Sequence, residues 1–294
     1  MPDICSALLR VFLMFVLTHS WALAEPSNSP ADGAAPVFEL VRENPTANGE
    51  RRQLMRFTAD GLRQYALVLW PAGEPPATGW PALLFNHGYH PDPPNYGRNA
   101  RGENDRPGDY YRAVAQAFVD RGMVVVAPDF RGHNDSQGQE FTGREDASSY
   151  YGRDAVAAFQ AMSQLPDLDE ARRYMFGHSM GGLVTLAALN ELGNRVAAAS
   201  IWSSMALPAD EGFASEACVP LLLQHARFDE VTSAAGSEQI ANYLRELGTE
   251  IALEIHKSPD HLFTGADFAR AVELDLAWFA RWVPPARPRR CDDR

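Results

Sequence analysis

The sequence predicts an α/β fold: a mostly parallel central sheet with helices on both faces and antiparallel strands at its N-terminal edge. Three observations carry that expectation. Short, uninterrupted apolar runs recur along the chain, as strands buried on both faces require. Segments with a helical apolar period separate most of those runs, which is the pattern of βαβ crossovers. The first ordered stretch instead alternates apolar and polar residues, as half-exposed antiparallel strands do.

Taken in order, residues 1–24 read as a signal peptide: Arg10 precedes an apolar run over 11–18, and Ala22-Leu23-Ala24 gives a small-x-small pattern before Glu25. That run, like every later one, is shorter than the ~18 apolar residues of a spanning helix. The expectation is an exported chain with no stable membrane span after cleavage, periplasmic or secreted. Residues 25–36 (EPSNSPADGAAP) form a flexible leader. Val37–Val41, Gln53–Thr58 and Arg63–Trp70 read as the antiparallel strands. Ala82–Phe85, Met123–Ala127, Tyr174–Phe176, Val196–Ile201, Val219–Leu223 and Ile251–Ile255 are the buried strands, and helical period appears over 109–121, 146–164, 180–193, 237–247 and 266–282. One domain over 37–283 follows, with a tail over 284–294. Two connections break the alternation: 88–108, rich in proline and glycine, and 203–217, which is too short for a helical lid. Ligands bind at the carboxyl ends of parallel strands, so these two loops and 133–145 are expected to wall a fairly open site.

Composition removes several mechanisms. Among 26 basic side chains Lys257 is the only lysine, and it follows a strand with no glycine-rich loop beside it. Walker-type nucleotide binding, Schiff-base chemistry, a pyridoxal phosphate anchor and a Ser-Lys dyad all need a lysine at a defined place. A net charge of −12 opposes capture of nucleic acid, which depends on basic residues neutralising phosphates. Cys5 falls in the signal, leaving Cys218 and Cys291. In an oxidising compartment these form either a disulfide, worth roughly 4 kcal/mol in the chain-entropy account, or two free thiols.

The chemistry concentrates downstream. Gly177-His178-Ser179-Met180-Gly181-Gly182 follows a strand run and opens an apolar helix, the strand–turn–helix setting that gives G-x-S-x-G its meaning. Such a turn lifts a serine hydroxyl clear of the sheet and aims the backbone N–H of Met180 at a bound carbonyl oxygen. A serine needs a base, and the base needs an orienting group. Asp229 lies in a loop past the Val219 strand, and His261 in the loop past the Ile251 strand.

The order Ser179, Asp229, His261 resembles the α/β-hydrolase superfamily over roughly residues 53–283. Asn86-His87-Gly88-Tyr89 resembles its H-G oxyanion loop, which implies that the Tyr89 N–H is the second oxyanion donor. Pro128-Asp129-Phe130-Arg131-Gly132-His133, with Ser136 and Gly138, is similar to the D-x-R-G turn of dienelactone hydrolase-like and prolyl oligopeptidase-like members, with His133 standing where that pattern has glycine. Leu165-Pro166-Asp167 and Phe228-Asp229-x-Val231 resemble the same two groups. Asp260 is a rival acid, and His87-x-x-His90 with Asp92 has a metal-compatible spacing without the further ligands of a zinc site; no cofactor or metal is expected.

The resemblance implies acyl transfer. Ser179 attacks a carbonyl, His261 carries the proton, Asp229 holds the imidazole, and activity falls as acid protonates the base. A carboxylic-ester hydrolase is the first reading, because the residues before the first strands are too few for a propeller and the loops leave the site open. A serine peptidase is the alternative; an acyltransferase and a binding protein that lost catalysis stay behind it. Tyr96, Trp202 and Phe213, with Tyr89, are candidates for an aromatic substrate pocket or for simple packing. The expected partner is a small-molecule ester or a short peptide.

Overall fold

The computed structural model describes residues 35–46, 48–97, 108–207, 219–258 and 260–282. The signal, most of the leader, Phe213, the three cysteines and the tail lie outside the described residues, so the disulfide expectation is neither met nor refused here.

The strands are β1 (Glu39–Pro45), β2 (Arg51–Ala59), β3 (Leu62–Trp70), β4 (Trp80–Asn86), β5 (Val124–Asp129), β6 (Leu168–His178), β7 (Ala199–Trp202), β8 (Leu221–Ala226) and β9 (Ile251–His256). They form one sheet in the order β1-β2-β3-β5-β4-β6-β7-β8-β9. β1, β2, β3 and β5 pair antiparallel, and every pair from β5 onwards is parallel. The helices are α1 (Asp109–Val119), α2 (Ala147–Ala161), α3 (Met180–Leu192), α4 (Ala234–Glu246) and α5 (Gly265–Arg281).

Side chains alternate across a strand, which explains why the buried strands carry apolar residues at every position. Ala82, Leu84, Val124, Val126 and Met175 face one layer, made by α2, α3 and α4. Leu83, Phe85, Val125, Ala127 and Phe176 face the other, made by α1 and α5. Burying one such Leu or Phe side chain contributes about 1.5–3 kcal/mol, so a polar residue at any of these sites is costly.

Element boundaries differ from the sequence expectation for identifiable reasons. The helix expected over 146–164 stops at Ala161 and tightens into a 3-10 turn over Met162–Gln164, leaving Leu165 extended with ψ 134°; the following Pro166 disfavours the helical region for Leu165. α4 begins at Ala234, before the expected 237, because the Ser233 hydroxyl caps it by accepting from the Ala235 N–H at 3.3 Å. β6 runs well ahead of Tyr174, through polar, half-exposed residues whose pairing with β4 contains a register shift between Trp80 and Ala82. β7 starts at Ala199, after a 3-10 turn over Gly193–Arg195. None of the described helices is long and apolar enough to cross a membrane.

One feature of the topology positions the site. β4 lies between β5 and β6, and the chain leaves β4 through α1 on one face but enters β6 through α2 on the other. The loops after β4 and β6 therefore part at a switch point, where a crevice opens at the carboxyl ends of the strands.

Candidate active site

Ser179 occupies that crevice. It joins β6 to α3 with φ 56° and ψ −122°, a conformation costing on the order of 1–3 kcal/mol for a residue with a side chain. Its surroundings hold it there. The Ser179 N–H donates to the Trp202 carbonyl at 3.0 Å, and its own carbonyl accepts from the Gly182 N–H at 2.9 Å. The flanking glycines are required by close approach: a Cβ on Gly181 would stand 2.1 Å from the Asn86 carbonyl oxygen, and one on Gly177 would stand 2.3 Å from the Gly181 oxygen. The first turn of α3 is thus pressed against the end of β4, and Asn86 Nδ2 bonds the Thr185 hydroxyl at 2.9 Å to fasten them.

The acid and base loops converge at the same end. His261 Nδ1 lies 2.7 Å from Asp229 Oδ2, so Asp229, and not Asp260, faces the imidazole. The Asp229 carboxylate is fully enclosed. Burial alone would push its pKa up, but hydrogen bonds from His225, His261 and the Thr232 N–H outweigh that and hold it far below the usual carboxylate range. A carboxylate that stays ionised accepts, so Nδ1 of His261 carries the hydrogen and Nε2 is left as an acceptor.

Two residues around Asp229 were not singled out for the site by sequence reasoning. The Thr232 hydroxyl reaches Asp229 Oδ2 at 3.1 Å, His261 Nδ1 at 3.2 Å and the Ser203 carbonyl at 3.1 Å. His225 has Nε2 3.0 Å from the Thr232 carbonyl and 3.4 Å from Asp229 Oδ2, while Nδ1 meets the Ser237 hydroxyl at 2.7 Å. The carboxylate therefore lies between two imidazoles. No spacing rule marks Thr232; the only signal was its place three residues past Asp229, where a turn brings both its N–H and its hydroxyl back to the carboxylate.

Gly88 approaches Ser179 so closely that a Cβ there would stand 3.2 Å from the serine Cβ, and Tyr89 follows it, largely exposed. Met180 opens α3, where first-turn N–H groups have no partner within the helix. Both expected oxyanion donors thus belong to segments flanking the serine. The D-x-R-G turn packs behind them. Arg131, 1% exposed, holds Asp154 through Nε and Nη2 and reaches Asp60 at 2.8 Å. His133 fits in the glycine position of that pattern by turning its ring edge-on to Tyr151, 5.4 Å between centroids.

Two of the aromatic candidates are buried. Trp202 is fully buried, packed edge-on against Phe176, and Tyr96 is buried and stacked on His87 at 4.0 Å. Both rings take up packing positions inside the fold. Large rings at strand ends serve burial first, because each removes 150–250 Å² from water. His87 and His90 turn Nδ1 to backbone groups of their own loop, and among the described residues no group of three His, Cys, Asp or Glu side chains is placed to hold a metal.

A family model described as serine aminopeptidase, S33, matches residues 102–215, a stretch that contains Ser179. The chain is 32% identical over 88 residues to the uncharacterised peptidase YtmA of Bacillus subtilis, covering 30% of this chain and 32% of that protein. Among solved structures it is similar to the acylaminoacyl peptidase of Pyrococcus horikoshii, with a TM-score of 0.64 and 18% identity over 84% of this chain and 44% of that one. It is also similar to a dienelactone hydrolase-like promiscuous phosphotriesterase from metagenomic libraries, with a TM-score of 0.59 and 16% identity over 80% of this chain and 99% of that one. The chain thus spans less than half the length of the two peptidases. The chain has the fold of the α/β-hydrolases, and the stretch that carries Ser179 resembles a serine hydrolase family.

Proposed function

We propose that the protein hydrolyses carboxylic esters through an acyl-enzyme on Ser179, with His261 as general base and acid and Asp229 as its orienting carboxylate. One observation carries this reading: the strained serine turn and the 2.7 Å His261–Asp229 pair stand at the same end of one sheet. His261 Nε2 takes the serine proton as Oγ attacks the carbonyl, and returns it to the leaving group; water then reverses the sequence to release the acid. The N–H groups of Tyr89 and Met180 receive the tetrahedral oxyanion, a role in which one lost donor typically costs roughly 3 kcal/mol of barrier.

Ester over amide is supported by the match along nearly the full length of the dienelactone hydrolase-like relative, and by chemistry, since an alkoxide leaves with less help from the acid than an amine does. A serine peptidase is the second reading, favoured by the description of the matching family model and by the two peptidases. The reading of residues 1–24 as an export signal, with a periplasmic or secreted protein starting at Glu25, belongs to the same proposal and is checked by N-terminal sequencing of the mature chain.

The test is labelling with a fluorophosphonate probe, followed by turnover of small p-nitrophenyl esters beside proline- and alanine-linked peptide amides. The wild type is expected to be labelled, Ser179→Ala to be unlabelled, and the esters to be preferred. Labelling that persists in Ser179→Ala overturns the mechanism; a preference for the amides selects the peptidase.

A further inference from the structure

Three separate pieces of chain must be held together for the proposed acyl transfer: the loop after β4 with Gly88 and Tyr89, the serine turn, and the loop after β9 with His261. Loops of this kind open locally at low cost unless something fastens them. A line of hydrogen bonds crosses all three. The Gly88 N–H faces the phenol oxygen of Tyr111, on the first turn of α1, so near that a Cβ on Gly88 would stand 2.1 Å from that oxygen. The Tyr111 hydroxyl lies 2.9 Å from His178 Nδ1. His178 Nε2 lies 3.0 Å from the carbonyl oxygen of His261 itself.

The proton arrangement of this line is determined by its ends. A carbonyl oxygen only accepts, so His178 Nε2 carries the hydrogen and donates to His261. Nδ1 is then an acceptor and takes the Tyr111 O–H, which leaves the phenol oxygen to accept from the Gly88 N–H. Burial, with His261 nearby, pushes the His178 imidazole down to about 3, so it stays neutral in the range where the enzyme works.

We infer that Tyr111 and His178 are positioning residues that lock the oxyanion loop and the base loop onto the serine turn as one unit. The inference rests on the acyl-transfer reading above. Neither residue touches the reacting atoms: His178 acts through the backbone of the base, and Tyr111 through the N–H adjoining the Tyr89 donor. What they control is the alignment of donor, nucleophile and base, and a misplacement of ~1 Å at such a site costs about 100-fold in rate.

The experiment compares wild type, Tyr111→Phe, His178→Leu, His178→Gln and the Tyr111→Phe/His178→Leu double variant, with p-nitrophenyl acetate as substrate and a boronic acid as transition-state analogue. Tyr111→Phe is expected to lower kcat about 10- to 100-fold while KM changes less than about threefold, and to weaken the boronic acid by the same factor as kcat falls, since alignment matters only in the transition state. His178→Gln, which restores a donor towards His261, is expected to recover part of what His178→Leu loses. The double variant is expected to be no worse than the poorer single one, because one break opens the whole line. Circular dichroism and the melting temperature establish folding; if His178→Leu does not fold, Tyr111→Phe, which deletes one oxygen atom, decides alone. A Tyr111→Phe enzyme within twofold of wild type in kcat overturns the inference, as do single effects that multiply in the double variant. A wild type that neither turns over the ester nor takes the fluorophosphonate label overturns the acyl-transfer reading and the inference with it.

Discussion

Asp275 on α5 has no access to solvent, yet it lies under the strands that deliver the acid and base loops. Its Oδ1 is 2.5 Å from the Ser200 hydroxyl on β7 and 2.6 Å from Gln224 Nε2 on β8, and Gln224 Oε1 meets His256 Nε2 on β9 at 2.9 Å. Burial pushes its carboxyl from 3.8 up to about 8 against those hydrogen bonds. The sign follows from linkage: a carboxyl raised in the folded state contributes most stability below its unfolded pKa and loses it as pH rises towards the folded one. By pH 7 that loss amounts to about 4 kcal/mol. Asp275→Asn removes the titration and keeps an oxygen for Ser200 and Gln224. Its amide nitrogen replaces an oxygen towards which the Trp202 side chain donates, and setting donor against donor returns about 1–3 kcal/mol. The expected net gain at pH 7 is on the order of 1–3 kcal/mol. More telling is the slope: the difference between variant and wild type should widen by up to ~1.4 kcal/mol per pH unit between about pH 4 and pH 8. Urea unfolding of both proteins at pH 5, 6, 7 and 8 measures it. A difference that stays flat across that range, or narrows, refutes the reasoning.

Three further outcomes test other parts of the structure. Thr232→Val removes the hydroxyl shared by Asp229 and the Ser203 carbonyl without changing side-chain shape, and should lower kcat about tenfold, the equivalent of one charge-assisted hydrogen bond of ~1.5 kcal/mol, in steady-state assays of a protein with an unchanged circular dichroism spectrum. Gly181→Ala drives a methyl group into two backbone oxygens of the β4 end and should cost ~3 kcal/mol or more in chemical denaturation, whereas Gly61→Ala, with open space and only its φ of 77° against it, should cost ~1–2 kcal/mol. Arg131→Met leaves Asp154 buried without its cation and should destabilise by about 3–5 kcal/mol, most of which the Arg131→Met/Asp154→Leu double variant recovers, as read by urea midpoints.

The residues differ in how far their sequence context specified them. Buried strands announced themselves because both faces must be apolar, so Ala82–Phe85 and Met123–Ala127 could be read from composition alone. The polar first half of β6 could not, since its residues are half exposed and pair only because β4 runs beside them. Ser179, Asp229 and His261 were legible as types at strand ends in a known order. For Trp202 and Tyr96, both buried, the sequence leaves pocket and packing equally open, because the identity of an aromatic residue does not say which side of the loop its ring takes.

What the sequence determined by itself was local: the period of each segment, the glycine-flanked serine turn, and the absence of lysine where lysine chemistry would need it. Those follow from steric and hydrophobic rules that act within a few residues. The tertiary structure decided everything that depends on distant segments meeting. It chose Asp229 over Asp260 for His261, put Thr232 and His225 around the carboxylate, and ran a hydrogen-bonded line from Gly88 through Tyr111 and His178 to His261. Those contacts join residues up to 83 positions apart. The sheet order brings such segments together, and a hydrogen bond forms only where donor and acceptor come within about 3 Å of each other.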